Sequence, residues 1–526
     1  MQRFLVLIAF MAPALLSADT VAGEANRRRP NFLVILVDDM GYSDVGCYGS
    51  EIHTPHLDKL ANHGIRYTQM YNTSKCYPTR AALLTGNYFQ HTTREFGHTA
   101  TAGEVLRPVG YRTWWSGKHH GTFNPHERGF DHFSGFLGGA VNFWNPGGAD
   151  ESGSRVPGAV YTWAFDEKLV KPFIPKQPFH TTDAFTDWAL EWLDASRGSD
   201  KPWFLYVAYN APHWPLHAHP EDIERFRGVY DGGYSSIREA RYRRQIEMGL
   251  FKKETARLSE AETATDEAWN ALSPEGQKQE SLRMSIHAAM VHQVDRNVGR
   301  LVSKLTQLDQ LDDTLVLFLA DNGASPERPR KPDVDADAAW GSVGSFESIG
   351  RSWANVANAP LRKWKATSHE GGINTPMIAH WPNGITKAGT ICRESCHLID
   401  LLPTWMELAG ASHPGESTQS DIPPIEGVSI VPSFRGKVLR RKSPLFFEFG
   451  SGNAVRDGQW KLVRTRKSRW ELYRFDADRT EENDVAAEHP ERAEAMAAQW
   501  EAWFRRCTGK SYPATSTKTR RKKVRK

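Results

Sequence analysis

Phe32-Leu33-Val34-Ile35-Leu36-Val37-Asp38-Asp39 is an apolar run that ends abruptly on two carboxylates. It reads as a β-strand, Phe32–Val37, that runs straight into polar chemistry. Four other runs have the same character: Tyr111–Ser116, Trp203–Tyr209, Thr314–Ala320 and Pro376–His380. Between them lie segments of helical length, with helices expected at Thr54–His63, Thr79–Leu84, Thr182–Ala195 and Ser285–Leu308. Strands alternating with helices predict an α/β fold, a large and mostly parallel sheet sandwiched by helices. Residues 217–280 are charged and read as a helical insertion, and residues 324–360 as a long loop. After about residue 440 the pattern changes. Pro444–Gly450, Trp460–Arg464 and Trp470–Tyr473 read as short antiparallel strands, closed by a helix at Pro490–Arg506. The expected organisation is a catalytic domain over 28–440, a small antiparallel-sheet subdomain over 441–507 and a basic disordered tail over 508–526.

The chain has 526 residues, 40% hydrophobic and 24% charged, which suits one large core plus a smaller module. A net charge of +4 says little about partners, and no nucleic-acid partner is expected. Residues 517–526 are strongly cationic and read as a solvated end, with attraction to an acidic polysaccharide or membrane surface as the sharper alternative. Residues 1–25 have the pattern of an export signal: Arg3, an apolar run from Phe4 to Leu16, then small residues from Ser17 to Ala25. The run is short for a membrane span, so an exported, periplasmic or secreted protein without stable membrane insertion is expected. Five cysteines are present: Cys47, Cys76, Cys392, Cys396 and Cys507. If Cys76 is consumed chemically, export would allow pairing among Cys47, Cys392, Cys396 and Cys507, and Cys392 and Cys396 could sit one turn apart. No C-x-x-C motif occurs, so no zinc site is expected.

The carboxyl ends of parallel strands are where open α/β sheets bind ligands. Four candidate strands deliver polar groups there: Asp38-Asp39, Gly117-Lys118-His119-His120, Asn210-Ala211-Pro212-His213 and Asp321-Asn322-Gly323. An Asp-Asp pair after a strand often serves only as a turn or helix cap. Three carboxylates converging with Asn322 instead require a cation, and oxygen ligands without cysteine or histidine clusters favour Ca²⁺ or Mg²⁺ over zinc. Arg80, Lys118, His120, His213 and Lys365 can supply the fixed positive groups that hold an anionic ester. A single lysine or histidine in a loop is usually just solvated; the set carries the reading.

Ser74-Lys75-Cys76-Tyr77-Pro78-Thr79-Arg80, followed by Leu84-Thr85-Gly86, contains a C-x-P-x-R core. It resembles the signature of the type I sulfatases, and so do Gly117-Lys118-His119-His120, Pro212-His213-Trp214-Pro215 and the Lys365-to-Glu370-Gly371-Gly372 segment. Thr54–Leu60, Asp295–Leu301 and Arg456–Leu462 look like that family's structural landmarks, so the resemblance runs from about residue 30 to about residue 505, closest to bacterial arylsulfatases. It implies an alkaline-phosphatase-like fold and cleavage of sulfate monoesters. It also implies that a formylglycine-generating maturation enzyme oxidises Cys76 to formylglycine (3-oxoalanine), whose hydrate is the nucleophile. Ca²⁺ would then be held by Asp38, Asp39, Asp321, Asn322 and residue 76. Arg80 would help ionise the attacking hydroxyl, and Lys118 and His120 would steady the hydrate and assist elimination of sulfate. Lys118, His213 and Lys365 would bind substrate, with His213 protonating the departing alcohol. The substrate would be a sulfated small molecule or a sulfated polysaccharide. The chain departs from the family pattern at Thr79, where serine is common, at His119, where tryptophan is common, and at Ala324, where glycine is common. Thr79 is expected to bear on maturation and His119 on the pocket wall. A phosphonate monoester or phosphodiester hydrolase of the same superfamily is the alternative enzyme. A non-catalytic sulfated-glycan-binding protein is the alternative from another class, and a low-pKa thiolate at Cys76 the alternative nucleophile.

Overall fold

A computed structural model of the chain describes residues 29–150, 152–329, 334–450, 452–465 and 468–512. The expected export signal and residues 513–526 of the tail lie outside the described residues. The large sheet has eleven strands: β1 (Asn31–Val37), β2 (Ile65–Tyr71), β3 (Arg112–Lys118), β4 (His132–Phe136), β5 (Trp163–Phe165), β6 (Lys168–Val170), β7 (Trp203–Ala208), β8 (Thr314–Ala320), β9 (Asn374–His380), β10 (Thr390–Cys392) and β11 (Cys396–His397). Their order is β10-β2-β9-β8-β1-β7-β3-β4-β5-β6, and β11 also pairs with β2. Strands β8, β1, β7, β3 and β4 are mutually parallel. Strand β9 runs against both β8 and β2, so β2 points the same way as β1.

Side-chain alternation explains the sandwich. Along β1, Leu33, Ile35 and Val37 enter one apolar core, while Phe32, Val34 and Leu36 enter the other. Strand β8 divides in the same way, with Val316, Phe318 and Ala320 on the first face and Leu315, Leu317 and Leu319 on the second. A strand apolar on both faces is stable only between two layers. The first face is covered by helices Pro55–Asn62, Thr181–Ala195 and Pro274–Gln307, the second by Cys76–Thr85 and Leu401–Ala409. Asp295 in the long helix accepts the Leu57 amide at 2.8 Å, so two of the landmark segments meet.

A second sheet comprises β12 (Leu445–Phe449), β13 (Gly452–Asp457), β14 (Trp460–Thr465) and β15 (Glu471–Arg474), all antiparallel. Helix Pro490–Thr508 covers it with Met496, Trp500 and Trp503. The two sheets are joined by a buried ion cluster. Glu370, just before β9, accepts Lys461 Nζ at 2.7 Å and Arg479 Nη1 at 2.8 Å, and Lys461 also pairs with Glu481 at 2.6 Å.

Several expectations change. The long helix starts at Pro274, eleven residues early, because Ser273 caps it by accepting the Gly276 amide while its first turns are polar and only half covered. The 324–360 segment carries a helix, Gly350–Ala357, anchored by buried Trp353 and Val356. Cys392 and Cys396 lie on β10 and β11 along β2 rather than one helical turn apart; their thiols are hydrogen-bond neighbours, and no disulfide links the five cysteines. Order persists past residue 507, since Tyr512 packs on Trp500 and Phe504 with ring centroids 4.8 and 5.0 Å away. The 217–280 insertion is helical and is locked down by Arg241, which pairs with Asp44 at 2.7 Å and Glu51 at 2.6 Å.

Candidate active site

The topology brings the polar ends together. Lys118 is the last residue of β3, Asp38-Asp39 follow β1, Asp321-Asn322 follow β8, and Asn210 to His213 leave β7. Strand β2 delivers Cys76 to the same edge as the first residue of helix Cys76–Thr85. Because β9 runs the opposite way, its amino end lies there too, and the preceding segment carries Lys365 in. The backbone is bent hard around this point. Asp39, Ser74, His120 and Ala366 have φ of 65°, 63°, 62° and 66°, left-handed values that each cost on the order of 1 kcal/mol or more. At Gly117, φ is 110° and a Cβ would stand 2.3 Å from the Ala208 carbonyl oxygen, so only glycine lets β3 lie against β7 here.

Charges interlock in the resulting cleft. Lys118 Nζ donates to Asp38 Oδ2, and Lys365 Nζ donates to Asp39 Oδ2 at 2.7 Å. Asn322 Nδ2 donates to Asp39 Oδ1 at 2.7 Å, and His213 Nε2 lies 3.4 Å from Asp39 Oδ2. The Asp39 amide donates to Asp321 Oδ1 at 3.1 Å, while Arg80 Nη2 donates to Asp321 Oδ2 at 3.1 Å. Arg80 Nη1 also reaches the Lys118 carbonyl oxygen at 3.2 Å and the Tyr206 hydroxyl at 3.5 Å. Ligand atoms of Asp38, Asp39, Cys76 and His213 all lie within 4.8 Å of one another. His120 stands apart: its ring contacts Tyr77 at 5.5 Å and packs over Gly139, where a Cβ would meet Nε2 at 2.7 Å.

Burial sets the protonation states. It raises the Cys76 thiol against the pull of Lys118 and Lys365, so the unmodified cysteine is not a ready thiolate. Burial, together with the Asp38 carboxylate, pushes Asp321 up to about 8. Burial would also raise Asp38, but Lys118, His213 and Arg80 outweigh it and hold that carboxyl well below its usual range. His213 is pushed down to about 4 by burial, against Asp39, and His120 is lowered by burial and then by Lys118 and Arg80. Asp38 Oδ1 and Asn322 Oδ1 are buried with no hydrogen-bond partner. Hard oxygens crowded together, two of them unsatisfied, fit a divalent cation of the Ca²⁺ or Mg²⁺ kind.

Two departures find their explanation. Thr79 donates its hydroxyl to the Asp321 carbonyl oxygen at 2.7 Å and lies 2.9 Å from the Thr73 hydroxyl, contacts that a serine hydroxyl also makes. His119 does not shape a pocket wall. It turns into the apolar layer among Trp115, Phe123 and Phe96, with ring centroids 4.9, 4.4 and 5.9 Å away. Sequence reasoning missed Tyr206 and Glu327. Tyr206 sits mid-strand, with no signal of its role. Glu327 accepts Lys75 Nζ at 3.0 Å and Trp214 Nε1 at 2.9 Å, bridging the neighbours of Cys76 and His213.

Residues 30–411 match the Sulfatase family, and residues 364–503 match the family described as N-sulphoglucosamine sulphohydrolase, C-terminal. The chain belongs to the sulfatase family. An arylsulfatase of Klebsiella aerogenes is 33% identical over 81% of this chain and 96% of its own length. An uncharacterised sulfatase of Schizosaccharomyces pombe is 31% identical over 91% of this chain and 94% of its own. Among solved structures, Ps i-CgsB superposes with a TM-score of 0.66 at 26% identity, over 90% of this chain and 93% of that one, and it has also been solved with k-i-k-neocarrahexaose. This sulfatase is therefore a sulfuric ester hydrolase with a sulfated substrate, built on the expected alkaline-phosphatase-like fold. Among its described residues no helix is long and apolar enough to cross a membrane.

Proposed function

We propose that this sulfatase acts through a formylglycine made from Cys76, with Ca²⁺ held by Asp38, Asp39, Asp321 and Asn322, in an exported protein. The observation that carries the reading is the meeting of Cys76 with Asp38, Asp39 and His213 within 4.8 Å at the edge where Arg80, Lys118 and Lys365 also converge. A buried thiol with a raised pKa is a poor nucleophile, whereas a hydrated aldehyde at the same position supplies a hydroxyl to attack sulfur. The cation would neutralise the carboxylates and polarise that hydroxyl.

The chain's own residues then have distinct tasks. Arg80, on the same helix face as residue 76 one turn earlier, holds Asp321 and adds positive charge where the nucleophile ionises. Lys118 and Lys365 are buried ammonium groups that can turn from Asp38 and Asp39 toward the sulfuryl oxygens. His213 donates Nδ1–H to the Trp214 carbonyl oxygen at 2.6 Å, which leaves Nε2 facing the cleft. Burial keeps that imidazole neutral, so the negative charge of a bound ester is what would hold a proton on Nε2 for the departing alcohol. His120 would assist the release of sulfate from residue 76. The relative solved with an oligosaccharide supports a sulfated carbohydrate as the natural class of substrate. Protein matured with a formylglycine-generating enzyme should hydrolyse an aryl sulfate, and Cys76→Ala should abolish turnover; full activity in that variant would reject the mechanism.

A further inference from the structure

We propose that His180, Asp183 and His219, completed by Gln293, form a second metal site, for a zinc-class transition ion, separate from the active site. His180 precedes helix Thr181–Ala195, where its Nδ1 accepts the Thr182 amide only at a long 3.4 Å, a contact an ion would replace; Asp183 lies in that helix's first turn, and His219 precedes helix Pro220–Arg225. One ligand atom from each lies within 4.8 Å of the other two. Two imidazoles with one carboxylate form a donor set suited to zinc-like ions, unlike the all-oxygen set beside Cys76.

The second observation is Gln293, buried on the facing helix Pro274–Gln307. Its amide nitrogen lies 3.0 Å from both His180 Nδ1 and Asp183 Oδ2, while its own Oε1 is buried without a partner. Turning that amide over puts the stranded oxygen between the same two ligand atoms. His219 Nε2 is 3.1 Å from Asp183 Oδ2. Ligand–ligand separations near 3 Å are what a tetrahedral ion at about 2.0–2.1 Å from each donor requires. Outer contacts are in place as well. Asn297 donates to Asp183 Oδ1 at 2.8 Å, and His180 Nε2 lies 3.4 Å from the His217 carbonyl oxygen, which orients Nδ1 inward. Trp144 packs edge-on against both imidazoles at 4.5 and 4.9 Å. The site would tie the segment from His213 to His219 to two helices of the sandwich.

The test uses full-length Cys76→Ala protein in excess Ca²⁺, so that the active-site donors do not compete. Calorimetric titration with Zn²⁺ should show one equivalent bound, with a rise in thermal midpoint, and His219→Ala should lose both. X-ray absorption of the zinc-loaded protein should show only nitrogen and oxygen neighbours with imidazole scattering, a readout that survives if the His219 variant fails to fold. Absence of saturable binding, an unchanged stoichiometry in His219→Ala, or sulfur in the metal's shell would overturn the proposal.

Discussion

Glu370→Gln tests how the two sheets are held together and how Lys365 is delivered to the cleft. Glu370 is fully buried and accepts from Lys461, Arg479 and, at 3.2 Å, the Tyr71 hydroxyl. Burial alone would raise its carboxyl, but Lys461 and Arg479 outweigh it and bring it from 4.5 down to about 2. A fall of that size corresponds to about 3 kcal/mol favouring the folded state. The folded-state value is the depressed one, so this stabilisation is fully present above the unfolded value near 4.5 and is lost as pH falls toward 2. Glutamine keeps the shape but removes the charge, leaving Arg479 buried without its carboxylate and Lys461 with Glu481 alone. Denaturant unfolding at pH 7 should show the variant weaker by about 3 kcal/mol, consistent with the usual cost of breaking a buried pair. At pH 3 the gap should narrow, because the unfolded wild-type chain already takes up a proton that the folded carboxyl, at about 2, still resists. Equal stability at pH 7, or a gap unchanged between pH 7 and pH 3, would refute the reasoning.

Other consequences can be measured separately. His119 has both ring nitrogens buried and unpartnered, so His119→Phe should raise stability by about 1 kcal/mol, read as a higher denaturation midpoint. If His213 protonates the leaving alcohol, His213→Gln should slow alkyl sulfates, whose alcohols leave poorly, far more than nitrophenyl sulfate; equal losses on both would remove that role. Stripping divalent cations should abolish turnover and lower the thermal midpoint, with Ca²⁺ restoring both, because an ion held only by the folded protein stabilises it.

Five of the eleven strands of the large sheet were legible, because central strands such as Phe32–Val37 and Thr314–Ala320 are apolar on both faces and end on carboxylates. Strand β2 was not, since Ile65–Tyr71 carries Arg66 and Gln69 partly exposed and has no continuous apolar run. Strand β13 starts on glycine and shares its hairpin with polar neighbours, so its pattern is equally weak. At the site, residues bound to strand ends could be read from spacing alone. Lys365 could be recognised only as part of a motif, because it arrives through the antiparallel strand β9. Groups such as Tyr206 and Glu327 act through distant partners that no local pattern encodes, and the same holds for His180, Asp183, His219 and Gln293.

Residue 76 itself offers the decisive measurement. Mass spectrometry of the proteolytic peptide spanning Cys76 should find the thiol sulfur exchanged for a carbonyl oxygen in protein that turns over aryl sulfate. An intact thiol in fully active protein would contradict the account.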